Sequence, residues 1–437
     1  MKDLDDAQVP EGGSTIVVQD GNALFHAMSN IPANFNLIAH KIFDAMPRND
    51  FIFSTDMYNE GSVKQMEREL RGASSSEKLI ISGPMTKKPA DWKVFLTIAA
   101  NKTQLVDVIS NVWSSSTFAP KLVNRKVILI SEGQGYLLQS RDGETVEKEL
   151  LHNLTSDQEE TDTRIILYCM HAQEQGYATV RIRSPDTDVF FIALHYAPTL
   201  DITVLFDTGS GNRRRLLNVS ELASTLGQQM CTALLGLHAF THCDSTSAFK
   251  GKGKVRQVKL VEKTEKYQKM LCSLGDNWDV SESLENELEA LTCAMYGRHH
   301  DTNVDHLRYT ILREKCGGQD GTIDIDRNID LSLLPPCKKS LIQHIRHVNY
   351  QVAIWKRSHI PKQSASKPTE GHGWEINEGV IKPLWFEGPV VPATIATEDD
   401  AANTDNETSD DTDDDEEMED NLVENHVFTD SESECEN

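Results

Sequence analysis

Three short apolar runs, residues 16–18, 51–53 and 178–182, each lead within a few positions to an aspartate: Asp20, Asp56 and Asp186. Between them lie stretches with apolar residues at helical spacing, such as residues 35–46 with Leu37, Ile38, Ile42 and Phe43. Unbroken apolar runs suit strands covered on both faces. Strands that alternate with helices predict an α/β fold with a mostly parallel central sheet flanked by helices. Ligands of such sheets gather at the carboxyl ends of the strands, where all three aspartates would meet.

Further strands are predicted at 127–130, 189–194 and 202–206, and helices at 62–72, 160–172, 222–240 and 258–271. A longer helix, Lys338–Trp355, has Leu341, Ile345, Val348, Val352 and Trp355 on one stripe. Its opposite face carries Lys339, Arg346, His347 and Lys356, so His344 and His347 read as a solvated basic face rather than a metal site. Residues 209–215 (GSGNRRR) follow a strand but lack the Lys-Ser/Thr of a P-loop, which makes them a hairpin turn with a basic contact for nucleic acid. Residues 361–392 read as an extended segment anchored by Trp374 and Trp385.

Phosphodiester hydrolysis by two metal ions needs several carboxylates around the pair, and Mg²⁺ prefers such hard oxygen ligands. Glu160 and Asp162 open one predicted helix, while Asp186 and Asp188 follow a strand. Singly, each has an ordinary explanation. An Asp after a strand caps a turn or a helix, and acids in a first helical turn suit the helix dipole. Their order and spacing carry more information.

Along the chain stand DGNAL, then Asp56 with Lys64 and Arg71 downstream, then EETDTR, SPDTDV, and HCD followed by GKGK. This ordered set resembles the flap-endonuclease (XPG-like, PIN-domain) superfamily over about residues 16–271. The resemblance implies a PIN-like domain followed by a helix–two-turn–helix region. It also implies a metal site of Asp20, Asp56, Glu160, Asp162, Asp186, Asp188 and Asp244 holding two Mg²⁺ or Mn²⁺ ions. Lys64 and Arg71 would meet the scissile phosphate. Gly251 and Gly253 would let the backbone approach a DNA phosphate, with Lys252, Lys254 and Arg256 adding positive charge. His242 stands where the family has Gly before Cys-Asp. The phrases EETDTR, SPDTDV, LLGLHAFTHCDSTSAFKGKGK and GHGW are also similar to a group of metazoan PIN-like proteins, some associated with mobile elements. That likeness runs to about Trp385 and names a family without naming a function.

The formal net charge of −25, taken alone, argues against a nucleic-acid partner. It is unevenly placed: from Glu398 onward there are 19 acidic residues and no Lys or Arg, leaving 49 acids against 43 bases elsewhere. The expected organisation is a flexible leader at 1–14, a nuclease-like domain at 15–271, a mostly helical extension at 272–392 and a disordered acidic tail at 393–437. A basic protein is a candidate partner for that tail. The acidic, turn-rich start is unlike a signal peptide, and the longest apolar runs are too short to cross a bilayer. The eight cysteines are scattered singly, as in a reduced intracellular protein, and Cys169, Cys231 and Cys293 sit in apolar surroundings. The expected activity is metal-dependent cleavage of structured or branched DNA, with nuclear localisation following from that substrate. The alternative is a catalytically silent scaffold that binds nucleic acid or protein.

Overall fold

The computed structural model describes residues 14–59, 62–70, 78–316 and 330–388. In chain order the first half runs β1 (Thr15–Asp20), α1 (Gly21–Ala27), α2 (Phe35–Asp44), β2 (Asp50–Ser54), α3 (Val63–Leu70), α4 (Trp92–Thr97), α5 (Ala99–Trp113), α6 (Ala119–Leu122), β3 (Val127–Ser131), β4 (Gln134–Gln139) and β5 (Glu147–Leu151). Then come α7 (Thr161–Glu174), β6 (Thr179–Arg183), α8 (Thr187–Tyr196), β7 (Thr203–Thr208), β8 (Arg215–Asn218), α9 (Val219–Leu226) and α10 (Gln228–Thr241). The rest is α11 (Lys254–Lys263), α12 (Glu265–Ser273), α13 (Glu282–Met295), α14 (Val304–Cys316), α15 (Lys338–Trp355), β9 (Trp374–Asn377) and β10 (Val380–Pro383).

Eight strands form one sheet in the order β5-β4-β3-β2-β1-β6-β7-β8. The central five, β3 to β7 across that order, are parallel, with antiparallel β4 and β5 on one edge and β8 on the other. The chain winds outward from β1 to β3, then returns to lay β6 beside β1. That reversal makes the junction of β1 and β6 a topological switch point, where α/β sheets open a crevice. Val17, Phe51, Phe53, Val127 and Leu129 face a core closed by α1, α2 and α5, with Trp113 fully buried. Ile16, Val18, Ile52, Val180, Ile182, Val204 and Phe206 face the opposite layer of α7, α8 and α10.

The mostly parallel sheet flanked by helices is as expected, but several elements differ from expectation. Residues 189–194 are not a strand: they form the middle of α8, a helix buried against α7, α9 and α10. An apolar run of this length fits either element, and Asp186 decides the matter by capping a helix. The helix expected at 222–240 is two, α9 and α10, parted by Gly227 at a φ of 77°. The helix expected at 258–271 is likewise α11 and α12, parted at Thr264. Residues 209–215 do form the turn of the β7–β8 hairpin, with the Arg214 Nε donating to Asp207 Oδ1 at 2.9 Å.

In α15 the apolar stripe is buried as expected, yet His344 and His347 are buried too and are no solvated face. His344 donates through Nε2 to the Phe240 carbonyl at 2.9 Å, and His347 to that of Gly373. Each ring thus ties α15 to a neighbouring segment. Trp374 is buried, whereas Trp385 is 59% exposed and meets His347 edge-on with ring centroids 6.1 Å apart. The seven described cysteines are all free thiols, with Cys169, Cys231 and Cys293 buried. Among the described residues, no helix is long and apolar enough to cross a membrane.

Candidate functional site

The carboxyl edge of the sheet collects the acids. Asp20 is the last residue of β1 and only 8% exposed. Its Oδ1 accepts from the Ala23 amide at 3.0 Å, capping α1, and its Oδ2 from the Ser184 hydroxyl at 3.3 Å. Asp56 lies just past β2 and accepts through Oδ1 from the amide of Thr161, the first residue of α7, at 3.0 Å. Asp186 caps α8, accepting from the Asp188 amide at 2.8 Å. The capping roles that each acid has singly are therefore all real, and they explain how the acids are held. They do not explain why the capped helices α1, α7 and α8 all begin at one edge beside the switch point.

The cluster is electrostatically strained. Burial, then the charges of Asp56 and Asp186, push Asp20 up to about 7 against its backbone cap. Burial, then Asp188 and Asp244, push Asp186 up to about 7. Asp188 is raised to about 6 by burial and by Asp244. Asp162 rises well above the usual carboxylate range through burial and the charges of Asp186, Glu160, Asp56 and Asp20. The interactions run in series: Asp20, Asp56, Glu160 and Asp186 bear on Asp162, while Asp188 and Asp244, the latter exposed on the loop after α10, bear on Asp186. Lys64 Nζ pairs with Glu160 Oε1 at 2.7 Å and pulls Asp186 and Asp188 back down. Among the described residues, no three His, Cys, Asp or Glu side chains already stand close enough to share one ion. Arg71 lies outside the described residues.

The loop at GKGK divides its labour. Gly251 takes a φ of 75°, Gly253 precedes α11, and Arg256 is exposed. Lys252 Nζ stands 4.0 Å over the Tyr296 ring. Lys254 turns inward, donating to His238 Nδ1 at 3.0 Å and to the His242 carbonyl at 2.8 Å. His242, in place of Gly, adopts an extended backbone that any residue accepts, and its exposed ring meets the Thr246 carbonyl at 3.0 Å.

Two contributors escape sequence reasoning. His238 is buried, with its ring stacked on Phe191 at 4.2 Å and on Trp355 at 5.9 Å. Burial, then Lys254, hold it well below its ordinary pKa, so the ring is neutral. Because Lys254 donates to Nδ1, the proton sits on Nε2 and is donated to Asp188 Oδ1 at 2.7 Å. Arg164, 1% exposed, donates to the carbonyls of Glu160 and Thr55 and so locks the start of α7 to the end of β2. The only sequence signals were a histidine inside an apolar helix and the last letter of EETDTR.

Two cavities flank the cluster. One of about 300 Å³ opens beside Asp56, and one of about 310 Å³ lies between Lys64, Glu160 and the Tyr350–Gln351 stretch of α15. The chain matches no protein-family model and no curated protein.

Proposed function

We propose that this chain is a divalent-metal-dependent nuclease of the PIN-like, flap-endonuclease kind that hydrolyses phosphodiester bonds in structured DNA. The observation that supports this reading is that Asp20, Asp56 and Asp186 end or follow neighbouring parallel strands and act on Asp162, with Asp20 and Asp186 raised to about 7. Burial first, and then the neighbouring carboxylates, raise these acids, and a divalent cation among them would stabilise their charged forms. Oxygen-only donors favour Mg²⁺ or Mn²⁺ over softer metals.

Asp20, Asp56, Glu160, Asp162, Asp186, Asp188 and Asp244 would hold two ions. When bound, these would supply an activated water and neutralise the leaving oxygen. His238 fixes the orientation of Asp188, as partners behind a metal ligand commonly do. Lys64 would exchange Glu160 for the scissile phosphate, and Arg71 would add a second cation there. The turn at Gly251 and Gly253, with Lys252 and Arg256, would hold the DNA backbone, while Lys254 supports the site from inside. Work on such a substrate belongs in the nucleus.

A second reading, a silent PIN-like scaffold that binds nucleic acid or protein, draws on the absence, among the described residues, of three ligands ready to share an ion. One experiment separates the two. End-labelled flap, gapped and single-stranded DNA is incubated with Mg²⁺ or Mn²⁺ and either wild type or Asp186→Asn. Metal-dependent cutting that the variant loses by at least about a hundredfold supports the enzyme. Folded wild type that cuts none of the substrates supports the scaffold.

A further inference from the structure

The cavity beside Asp56 has a chemistry of its own. After β1 the chain turns through Gly21, where a Cβ would come within 2.7 Å of the Phe53 ring and of Thr55. Only glycine lets the backbone press so closely on the end of β2, and this sets Asn22 into the wall of the cavity. Both polar atoms of the Asn22 side-chain amide are buried and have no hydrogen-bond partner among the described residues. An amide left in that state is destabilising, so a fold that keeps one invites a ligand.

The rest of the lining says which ligand. Lys102 of α5 reaches in with its Nζ 4.8 Å from the centroid of the Tyr58 ring. Thr103 and Ser131 add hydroxyls, Glu132 adds a carboxylate, and Asp56 joins the cavity to the carboxylate cluster. A cation, an aromatic face and an amide that both donates and accepts are the complement of a phosphate attached to a planar base with mixed edge groups. The volume of about 300 Å³ suits one such unit and no more.

We propose that this cavity is a nucleotide subsite that seats the nucleotide adjoining the bond to be cut, with Lys102 on its phosphate, Tyr58 against its base and Asn22 on the base edge. The proposal rests on the nuclease reading for its place in the reaction, but its binding chemistry can be tested without any cleavage.

The test is titration of the full chain, in EDTA, with deoxyadenosine 5′-monophosphate, followed by calorimetry or ¹⁵N NMR. Wild type, Lys102→Gln and Asn22→Ala are compared, with Lys102→Arg and Asn22→Ser as milder substitutions should either fail to fold. Each removal is expected to weaken binding about tenfold, the loss of one charged or neutral hydrogen bond. Asn22→Ala should also leave thermal stability unchanged or higher, since it deletes an unpaired buried amide; a purely structural Asn22 would lose stability instead. In cleavage assays KM should rise about tenfold while kcat stays within about twofold. Wild type that does not bind the nucleotide, or variants that bind it equally well, overturn the proposal whether or not DNA is cut. Binding as expected with no cutting by wild type leaves the subsite standing and removes the nuclease reading.

Discussion

Asp188 keeps one oxygen on His238, and that ring is pinned by two aromatic faces and by Lys254. Replacing His238 with Leu preserves bulk but deletes the donor. The Mg²⁺ concentration for half-maximal cleavage should then rise about 10- to 100-fold, while Gln, which keeps a donor, recovers part of the loss. An unchanged metal dependence in His238→Leu would show that the ring only packs. The raised acids make a second prediction. Asp20 and Asp186 titrate at about 7 when folded and near 4 when unfolded, so between those values the folded state holds more protons. Stability without metal should therefore fall as pH rises from about 4 to about 7, and Mg²⁺ should raise Tm more at pH 8 than at pH 5. Calorimetry in EDTA and in Mg²⁺ checks this; equal Tm values at pH 5 and 8 in EDTA would refute it. Asp244 sits on the loop after α10, whereas the positions of Asp20, Asp56, Glu160, Asp162, Asp186 and Asp188 were legible in the sequence because each lies at or just past a strand end or at a helix start. His238 and Arg164 were not, because their roles come from partners 50 and 109 positions away that only tertiary folding supplies.

Elements follow the same division. Strands β1, β2, β3, β6 and β7 were readable as apolar runs because both of their faces are covered. Strands β4 and β5 and helices α4 to α6 were not foreseen. β5 has an exposed, charged pattern and β4 only a few buried positions, so neither shows the continuous signal of a central strand. The error at α8 has the opposite cause: a helix buried on every side loses the polar stripe that marks a helix. The pairing of α10 with α12 hinges on Gly236, where a Cβ would stand 2.6 Å from the Leu271 carbonyl oxygen. Since α10 carries His238 and leads to Asp244, this contact bears on the site as well as on the fold. Gly236→Ala should cost about 1–3 kcal/mol, because backbone on the far side cannot swing away as a side chain can. Urea unfolding measures it, and a midpoint equal to wild type would mean that the two helices separate at little cost.

For the whole molecule, the question is how a chain of net charge −25 would meet DNA, itself a polyanion. The charge is concentrated: the stretch from Glu398 holds 19 acids and no base, while the remainder carries 49 acids and 43 bases. If the seven acids proposed for the site were offset by bound cations, the 42 others would stand against 43 bases, close to balance. On this reading the acidic stretch competes with DNA for the same basic groups, among them Arg256 at the turn before α11. A chain ending at Thr397 should therefore bind flap DNA about tenfold more tightly at 50 mM salt, and the gap should close at several hundred millimolar, where screening reaches only a few ångströms. Fluorescence anisotropy across a salt series, in Ca²⁺ to hold cleavage back, measures both quantities. If the acidic stretch instead serves a basic protein, the truncated and full chains will bind DNA alike at every salt concentration, and only a cationic partner such as polylysine will distinguish them.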